Sequence, residues 1–250
     1  DRVDLFGRCA DGVLRKTDYA PLELLMVDNG SVEPASLEVF ESLQRDPRVR
    51  VLRDDGPFNF AALMNRAVEA ARGEIIVLLN NDISMIEADW LGEMVSHAVR
   101  PNVGAVGARL LYPDGTVQHG GVALGIGGDR RVAGHVHVGA PRHHAGYQGH
   151  LSLTRNVSAV TAACLALRKS VYQEVGGMDA ERLAVAFNDV DLCLKIRAAG
   201  YDIVWTPFAE LYHHESASRG SDLAPEAAER FQREVDTMRD RWGPVLDSDP

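Results

Sequence analysis

Asp82 closes an uninterrupted apolar run. Ile75, Ile76, Val77, Leu78 and Leu79 are followed at once by Asn80, Asn81 and Asp82. Five apolar residues are too few for a buried helix. Bounded by polar residues and preceded by Gly73, they predict a strand buried on both faces of a parallel sheet. Ligands of open α/β sheets collect at the carboxyl ends of strands. Asp82 therefore falls where a pocket is expected, with oxygens suited to a hard divalent cation. Asn80-Asn81-Asp82 equally suits a turn that caps the next helix, and the segment alone does not choose between the two.

A second pair of acids sits in Phe187-Asn188-Asp189-Val190-Asp191-Leu192, which opens a helix carrying apolar Val190, Cys193, Leu194 and Ala198 and closed by Gly200. The helix dipole favours ionised carboxylates in a first turn, although acids are common at helix starts without any chemistry. Side chains two residues apart on a helix point about 200° apart, so one pocket cannot use Asp189 and Asp191 equivalently. A third polar cluster, Asp28-Asn29-Gly30-Ser31, is again a turn at the end of an apolar strand. Residues 119–150 are rich in glycine, carry His135, His137, His143, His144 and His150, and lack periodicity. No fixed ligand spacing appears among these histidines, so they read as a polar loop rather than a metal centre. A loop of such length is usually functional or disordered. Gly125-Ile126-Gly127-Gly128 lacks the flanking strand and helix of a dinucleotide fingerprint.

The elements that must position these groups alternate. Leu5, Cys9 and Val13 mark a helix over 2–16; strands follow at 22–27 and 48–52, with a helix from Pro34 to about Arg45 between them. Asn59 can cap a helix whose stripe is Phe60, Leu63, Met64, Ala67 and Ala71, ended by Gly73. This alternation predicts a nucleotide-binding-type α/β half over the first hundred residues. Beyond a helix at 88–99, strands are expected at 103–111, 157–167 and 201–206, with a tight turn at Pro113-Asp114-Gly115 and a short extended segment at 211–214. A short helix ends at Gly176-Gly177. The last helix, over 224–242, carries Phe231, Val235, Met238 and Trp242 on one face. A domain that opens with a helix and starts on Asp1 reads as a fragment cut just after its first strand.

A net charge of −10 argues against a general nucleic-acid surface, which would be basic. Hydrophobic content of 46% over 250 residues suffices for one large domain or two small ones. Cys9, Cys164 and Cys193 lie among apolar residues without CxxC spacing and read as reduced core thiols of a cytosolic protein. No apolar run approaches the roughly 20 residues of a membrane helix, and no signal peptide is visible.

Taken together, Leu25-Met26-Val27-Asp28-Asn29-Gly30-Ser31, Asn65 in Leu63-Met64-Asn65-Arg66-Ala67-Val68, and Gly73 through Asp82 resemble the nucleotide half of a family 2 inverting glycosyltransferase. Val160-Thr161-Ala162-Ala163-Cys164-Leu165, Gly176-Gly177-Met178-Asp179, Phe187 through Leu194 and Leu211-Tyr212-His213-His214 with the following Glu215 to Gly220 resemble its sugar and acceptor half. The subgroup most similar is that of bacterial O-antigen and rhamnosyltransferase-like enzymes. Each motif is weak, but they occur in order over nearly the whole chain.

The resemblance implies a GT-A fold in one catalytic domain, with a nucleotide half at 1–100, a sugar and acceptor half at 101–220, and a helix and tail at 221–250. It further implies a nucleotide-diphosphate sugar donor, Mn²⁺ or Mg²⁺, and a glycan or lipid-linked glycan acceptor in cell-surface polysaccharide synthesis. The expected location is the cytoplasm, or the inner face of the membrane through parts outside this chain. Carried over by position, Asp28 and Asn29 contact the base and Asn65 lies near the nucleoside. Asn80, Asn81 and Asp82 stand in the place of the D-x-D motif. Asp82 is then the metal ligand, and Asn80, in place of the first acid, can hydrogen-bond a ribose but brings no charge. Asp189 matches the catalytic base, with Asn188 replacing the usual preceding acid, and His213 matches a late histidine ligand. His213 and His214 face opposite ways in an extended chain, so only one can reach the metal. The family's P-T-x-N turn is missing. Two alternatives remain: a sugar-1-phosphate nucleotidyltransferase, whose Gly-rich basic loop is not seen, and a non-catalytic sugar-nucleotide-binding domain, kept open by the Asn substitutions.

Overall fold

The structure, a computed structural model, describes residues 2–127, 132–214 and 225–249. Glu215 to Gly220 of the last motif thus lie outside the described residues. In chain order the elements are α1 (Val3–Asp11), continued by a π-helical turn at Gly12–Lys16, β1 (Leu24–Asp28), α2 (Pro34–Leu43), β2 (Val49–Arg53) and α3 (Phe60–Ala70). Then come β3 (Ile75–Leu79), β4 (Ile83–Met85), α4 (Trp90–Ala98), β5 (Val103–Leu111), β6 (Val117–His119), β7 (Val122–Leu124) and β8 (Ala133–His135). The chain continues through β9 (Arg155–Asn156), β10 (Cys164–Arg168), α5 (Lys169–Glu174), α6 (Asn188–Ala198), β11 (Asp202–His213) and α7 (Pro225–Leu246). Asn59 caps α3 as its residue type suggests: its Oδ1 accepts the Ala62 N–H at 2.9 Å.

The α/β class holds, but the strands are joined differently from the expectation. The run Ile75 to Leu79 is indeed packed on both faces: Ile76 and Leu78 join one core cluster, while Ile75, Val77 and Leu79 lie against the other. Its partner is not a parallel neighbour, however; β3 pairs antiparallel with β10, Leu79 opposite Cys164. An apolar run encodes burial on two faces and says nothing about strand direction. The first hundred residues also do not form one sheet. β1 and β2 make a separate parallel pair. β3, β10, β5, β11 and β4 follow one another in a seven-stranded sheet, with β6 added to β5 and β9 to β11.

Three further boundaries are corrected. The strand expected at 157–167 is regular only from Cys164 to Arg168, because the preceding backbone serves the site: Ala162 N donates to Asp189 and Ala163 O accepts from Asn80 N. The segments at 201–206 and 211–214 are one strand, β11, whose register shift between Trp205 and Glu210 absorbs Pro207 as a bulge. The region 119–150 carries an antiparallel β7–β8 pair and a 3-10 turn at Tyr147–Gly149 rather than an irregular loop throughout.

The last helix acts as a latch on the start of α6. Val235 and Met238 of α7 are fully buried, as their spacing requires. Asp191, fully buried, accepts from Arg241 Nη1 at 2.7 Å and Trp242 Nε1 at 2.9 Å, with Lys195 Nζ at 3.2 Å. Arg241 also reaches Asp179 at 2.5 Å. Glu234 accepts the Val185 and Ala186 N–H groups just ahead of α6. All three cysteines are buried and unpaired, and burial pushes the Cys9 and Cys193 thiols up to about 12.

Removing one member of such a buried charged set leaves the others desolvated and unpaired. Asp191→Ala is therefore expected to cost about 3–5 kcal/mol, measured by urea unfolding with linear extrapolation. A loss below about 0.5 kcal/mol, the level of an ordinary surface substitution, would show that the latch is not formed.

Candidate active site

Antiparallel pairing of β4 with β11 sets His213 opposite Ile83 and Tyr212 opposite Ser84. Asp82, one residue before β4, and His213, the last residue of β11, are thereby neighbours, and the His214 N–H donates to the Asp82 carbonyl at 3.0 Å. Both side chains are buried, at 6% and 8% exposure. His213 Nε2 lies 3.1 Å from Asp82 Oδ1, yet Oδ1 has no hydrogen-bond partner. Burial pushes the Asp82 carboxyl up, but the proximity of His213 more than reverses this and holds it below the ordinary value. His214 turns the other way, its Nε2 at 3.0 Å from Ser84 Oγ. Asn80 places its Nδ2 3.3 Å from His213 Nε2, and Asn81 is exposed.

This arrangement suits a divalent cation. Two cis ligands in an octahedral shell of radius about 2.1 Å are about 3.0 Å apart, close to the observed separation. A buried carboxylate oxygen left without a donor costs free energy until something positive meets it. Among the described residues no third His, Cys, Asp or Glu completes a protein-only metal cage.

Asp189 stands on the other side of a short connecting segment, residues 161–163. Asn80 N donates to Ala163 O at 3.0 Å, and Ala162 N donates to Asp189 Oδ2 at 3.1 Å. One stretch of backbone thus ties the end of β3 to the start of α6. Asp189 Oδ1 accepts the N–H of Val190 at 2.8 Å, and the side chain stays partly exposed. Phe187, just before α6, has φ +58°, a left-handed conformation that is uncommon for a bulky residue. With Asp189, Val190, Phe231 and His135 it lines a cavity of about 300 Å³ beneath the β7–β8 pair. Asn188 is buried and spends its amide on Val185 O at 2.8 Å. Asp191, by contrast, belongs to the α7 latch.

The remaining expected residues lie apart from this group. Asp28 is buried and accepts Ser31 N at 2.9 Å and Arg53 Nη1 at 2.5 Å. Burial raises its pKa, and those partners lower it further than burial raises it. Asn29 Nδ2 donates to the carbonyls of Asp54 and Gly56, closing the β1 turn onto the β2 turn. Asn65 uses its amide on protein: Oδ1 accepts from Tyr172 Oη at 2.6 Å and Met178 N at 2.9 Å, and Nδ2 donates to Met178 O at 2.8 Å. A Cβ at Gly177, whose φ is +65°, would meet Asn65 Oδ1 at 2.7 Å. Asn65 thereby binds α3 to the Gly176-Gly177 turn.

Sequence reasoning missed Gln118, whose Oε1 lies 2.7 Å from His213 Nδ1, and Glu234. The signal available for Gln118 was a polar pair, Gln118-His119, in a strand with all three residues buried.

Residues 2–176 match the family model described as glycosyl transferase family 2. The chain is 54% identical over 243 residues to the uncharacterized protein y4gI of Sinorhizobium fredii, covering 97% of this chain and 26% of that protein. It is 44% identical over 228 residues to the O-antigen biosynthesis protein RfbC of Myxococcus xanthus, covering 91% of this chain and 18% of that one. The chain thus spans about a quarter or less of the length of these relatives. Among solved structures, the mannosyltransferase PcManGT from Pyrobaculum calidifontis, in complex with GDP-Man and Mn²⁺, superposes with a TM-score of 0.66 at 17% identity, covering 98% of this chain and 65% of that one. The fold is GT-A, and the chain belongs to glycosyl transferase family 2.

Proposed function

We propose that this chain moves a sugar from a nucleotide-diphosphate donor to an acceptor hydroxyl with inversion, in the synthesis of a bacterial cell-surface polysaccharide. The observation that carries the proposal is the buried Asp82–His213 pair joined through residues 161–163 to Asp189. Similarity to an O-antigen biosynthesis protein supports the polysaccharide context. No helix among the described residues is long and apolar enough to cross a membrane; the proposed site of action is the cytoplasm or its membrane face.

In this reading Asp82 and His213 are the residues that would hold Mn²⁺ or Mg²⁺. Such a cation, when bound, neutralises negative charge that grows on the departing diphosphate. The acceptor oxygen forms a bond to the anomeric carbon while the bond from that carbon to the phosphate oxygen breaks, its electron pair leaving with the nucleoside diphosphate. The acceptor's proton passes to the Asp189 carboxylate. Each Asp189 oxygen accepts one backbone N–H, which orients the group, and each retains lone-pair capacity for that proton. Attack opposite the leaving group inverts the anomeric centre through an oxocarbenium-like transition state. The cavity beside Asp189, with the Phe187 and Phe231 rings 5.3 Å apart, is where the acceptor would enter. Asp28 and Asn29 would shape the base-binding turn and Asn80 would face the ribose. Asn65 would act through the α3 packing it secures. The division into a nucleotide half at 1–100 and an acceptor half at 101–220 is part of the same proposal.

Asp189→Asn keeps the size and one acceptor oxygen but removes the base. Single-turnover transfer is expected to fall roughly 10²–10⁴-fold with donor binding retained, and Asp191→Asn should slow transfer much less. Wild-type transfer by Asp189→Asn would exclude this mechanism. Asp82→Ala should abolish the Mn²⁺-dependent part of nucleoside-diphosphate binding in calorimetry while the fold persists; unchanged Mn²⁺ dependence would remove Asp82 from the site.

A further inference from the structure

The antiparallel pairing of β6 with β5 sets His119 opposite Leu110 and Val117 opposite Leu111, so Gln118 is one residue too many. A bulge of this kind re-aims a side chain out of the regular alternation. Here it accompanies a Gln118 side chain, 5% exposed, with Oε1 2.7 Å from His213 Nδ1 across 95 residues of sequence. An amide oxygen can only accept, so this contact requires the proton on Nδ1. On the opposite side of the ring, Nε2 faces Asn80 Nδ2, a donor, at 3.3 Å. It also lies 3.1 Å from Asp82 Oδ1, which receives no hydrogen bond. The Asn80 donor is consistent with a bare lone pair on Nε2. Two electron-rich atoms then face each other in a buried place, an arrangement that a cation between them would relieve.

We propose that Gln118 is a positioning residue that holds His213 in the Nδ1–H tautomer and so keeps Nε2 aimed at Asp82 for a cation. The proposal rests on the reading of Asp82 and His213 as a cation pair. An imidazole ligand needs its second nitrogen fixed by an acceptor, which sets both the tautomer and the ring orientation. A neutral amide does this without adding charge beside Asp82.

Imidazole ¹⁵N NMR of the metal-free chain at about pH 8, above the ordinary imidazole range, tests the tautomer directly. His213 is expected to carry its proton on Nδ1 with Nε2 bare. A proton on Nε2 with Nδ1 bare overturns the proposal, whatever the chain does with metal. Titration with Mn²⁺ alone, followed by electron paramagnetic resonance, is the second readout. Gln118→Leu should weaken Mn²⁺ about 10–100-fold and lose the Nδ1–H preference, whereas Gln118→Glu, which keeps an acceptor, should retain both. Gln118→Leu with unchanged tautomer and unchanged Mn²⁺ affinity also overturns it. If the wild-type chain has the expected tautomer but Mn²⁺ leaves the His213 signals unbroadened, the cation reading fails while the role of Gln118 in fixing the ring stands.

Discussion

The contact between β4 and β11 is what the site depends on. Asp82 arrives from the end of a strand early in the chain and His213 from the end of a strand 131 residues later. Only the Ile83–His213 register brings their side chains within 3.1 Å. A slip of one residue would exchange His213 for His214, because alternate residues face opposite ways. The buried, donor-free oxygen of Asp82 is unfavourable for the fold by itself. Stability must come from elsewhere, and the two apolar clusters on either side of the sheet supply it.

A second constraint works from the far end of the chain. The loop ahead of α6 holds Phe187 at φ +58°, and such a conformation persists only where the surroundings over-determine it. Glu234 takes the two N–H groups of Val185 and Ala186, Asn188 takes the Val185 carbonyl, and Phe231 packs against Phe187. Asp191 anchors the first turn of α6 to Arg241 and Trp242. The two acids of this turn therefore divide the labour: Asp191 is consumed by packing, leaving Asp189 at the cavity wall. Asn188, at a position where the family resemblance implies an acid, brings no charge to this turn. Asn188 is turned inward to the backbone, so an acid there would need a different partner for a buried charge.

Much of this was legible in the sequence. The apolar run ending at Asp82, the Asn59 cap, the α7 stripe and the two-faced choice between His213 and His214 all follow from periodicity and residue type. What was not legible depends on contacts far apart in sequence. The antiparallel partner of β3 is β10, some 85 residues downstream, and no local pattern names it. The bulge at Gln118 follows from a register shift in the β5–β6 pair, and the contacts of Asn65 with Tyr172 and Met178 join segments far apart in the chain. The continuous β11 was hidden by Pro207, which ends most strands but sits here in a bulge.

In the proposed site Asp82 and His213 share one cation. Anomalous diffraction at the manganese edge, from crystals of this chain grown with Mn²⁺ and a nucleoside diphosphate, tests it most directly. One peak is predicted at about 2.0–2.4 Å from both Asp82 Oδ1 and His213 Nε2, as befits first-row and alkaline-earth dications on oxygen and nitrogen. A peak held by other side chains, or His213 Nε2 hydrogen-bonded straight to Asp82 with no cation between them, would contradict the account.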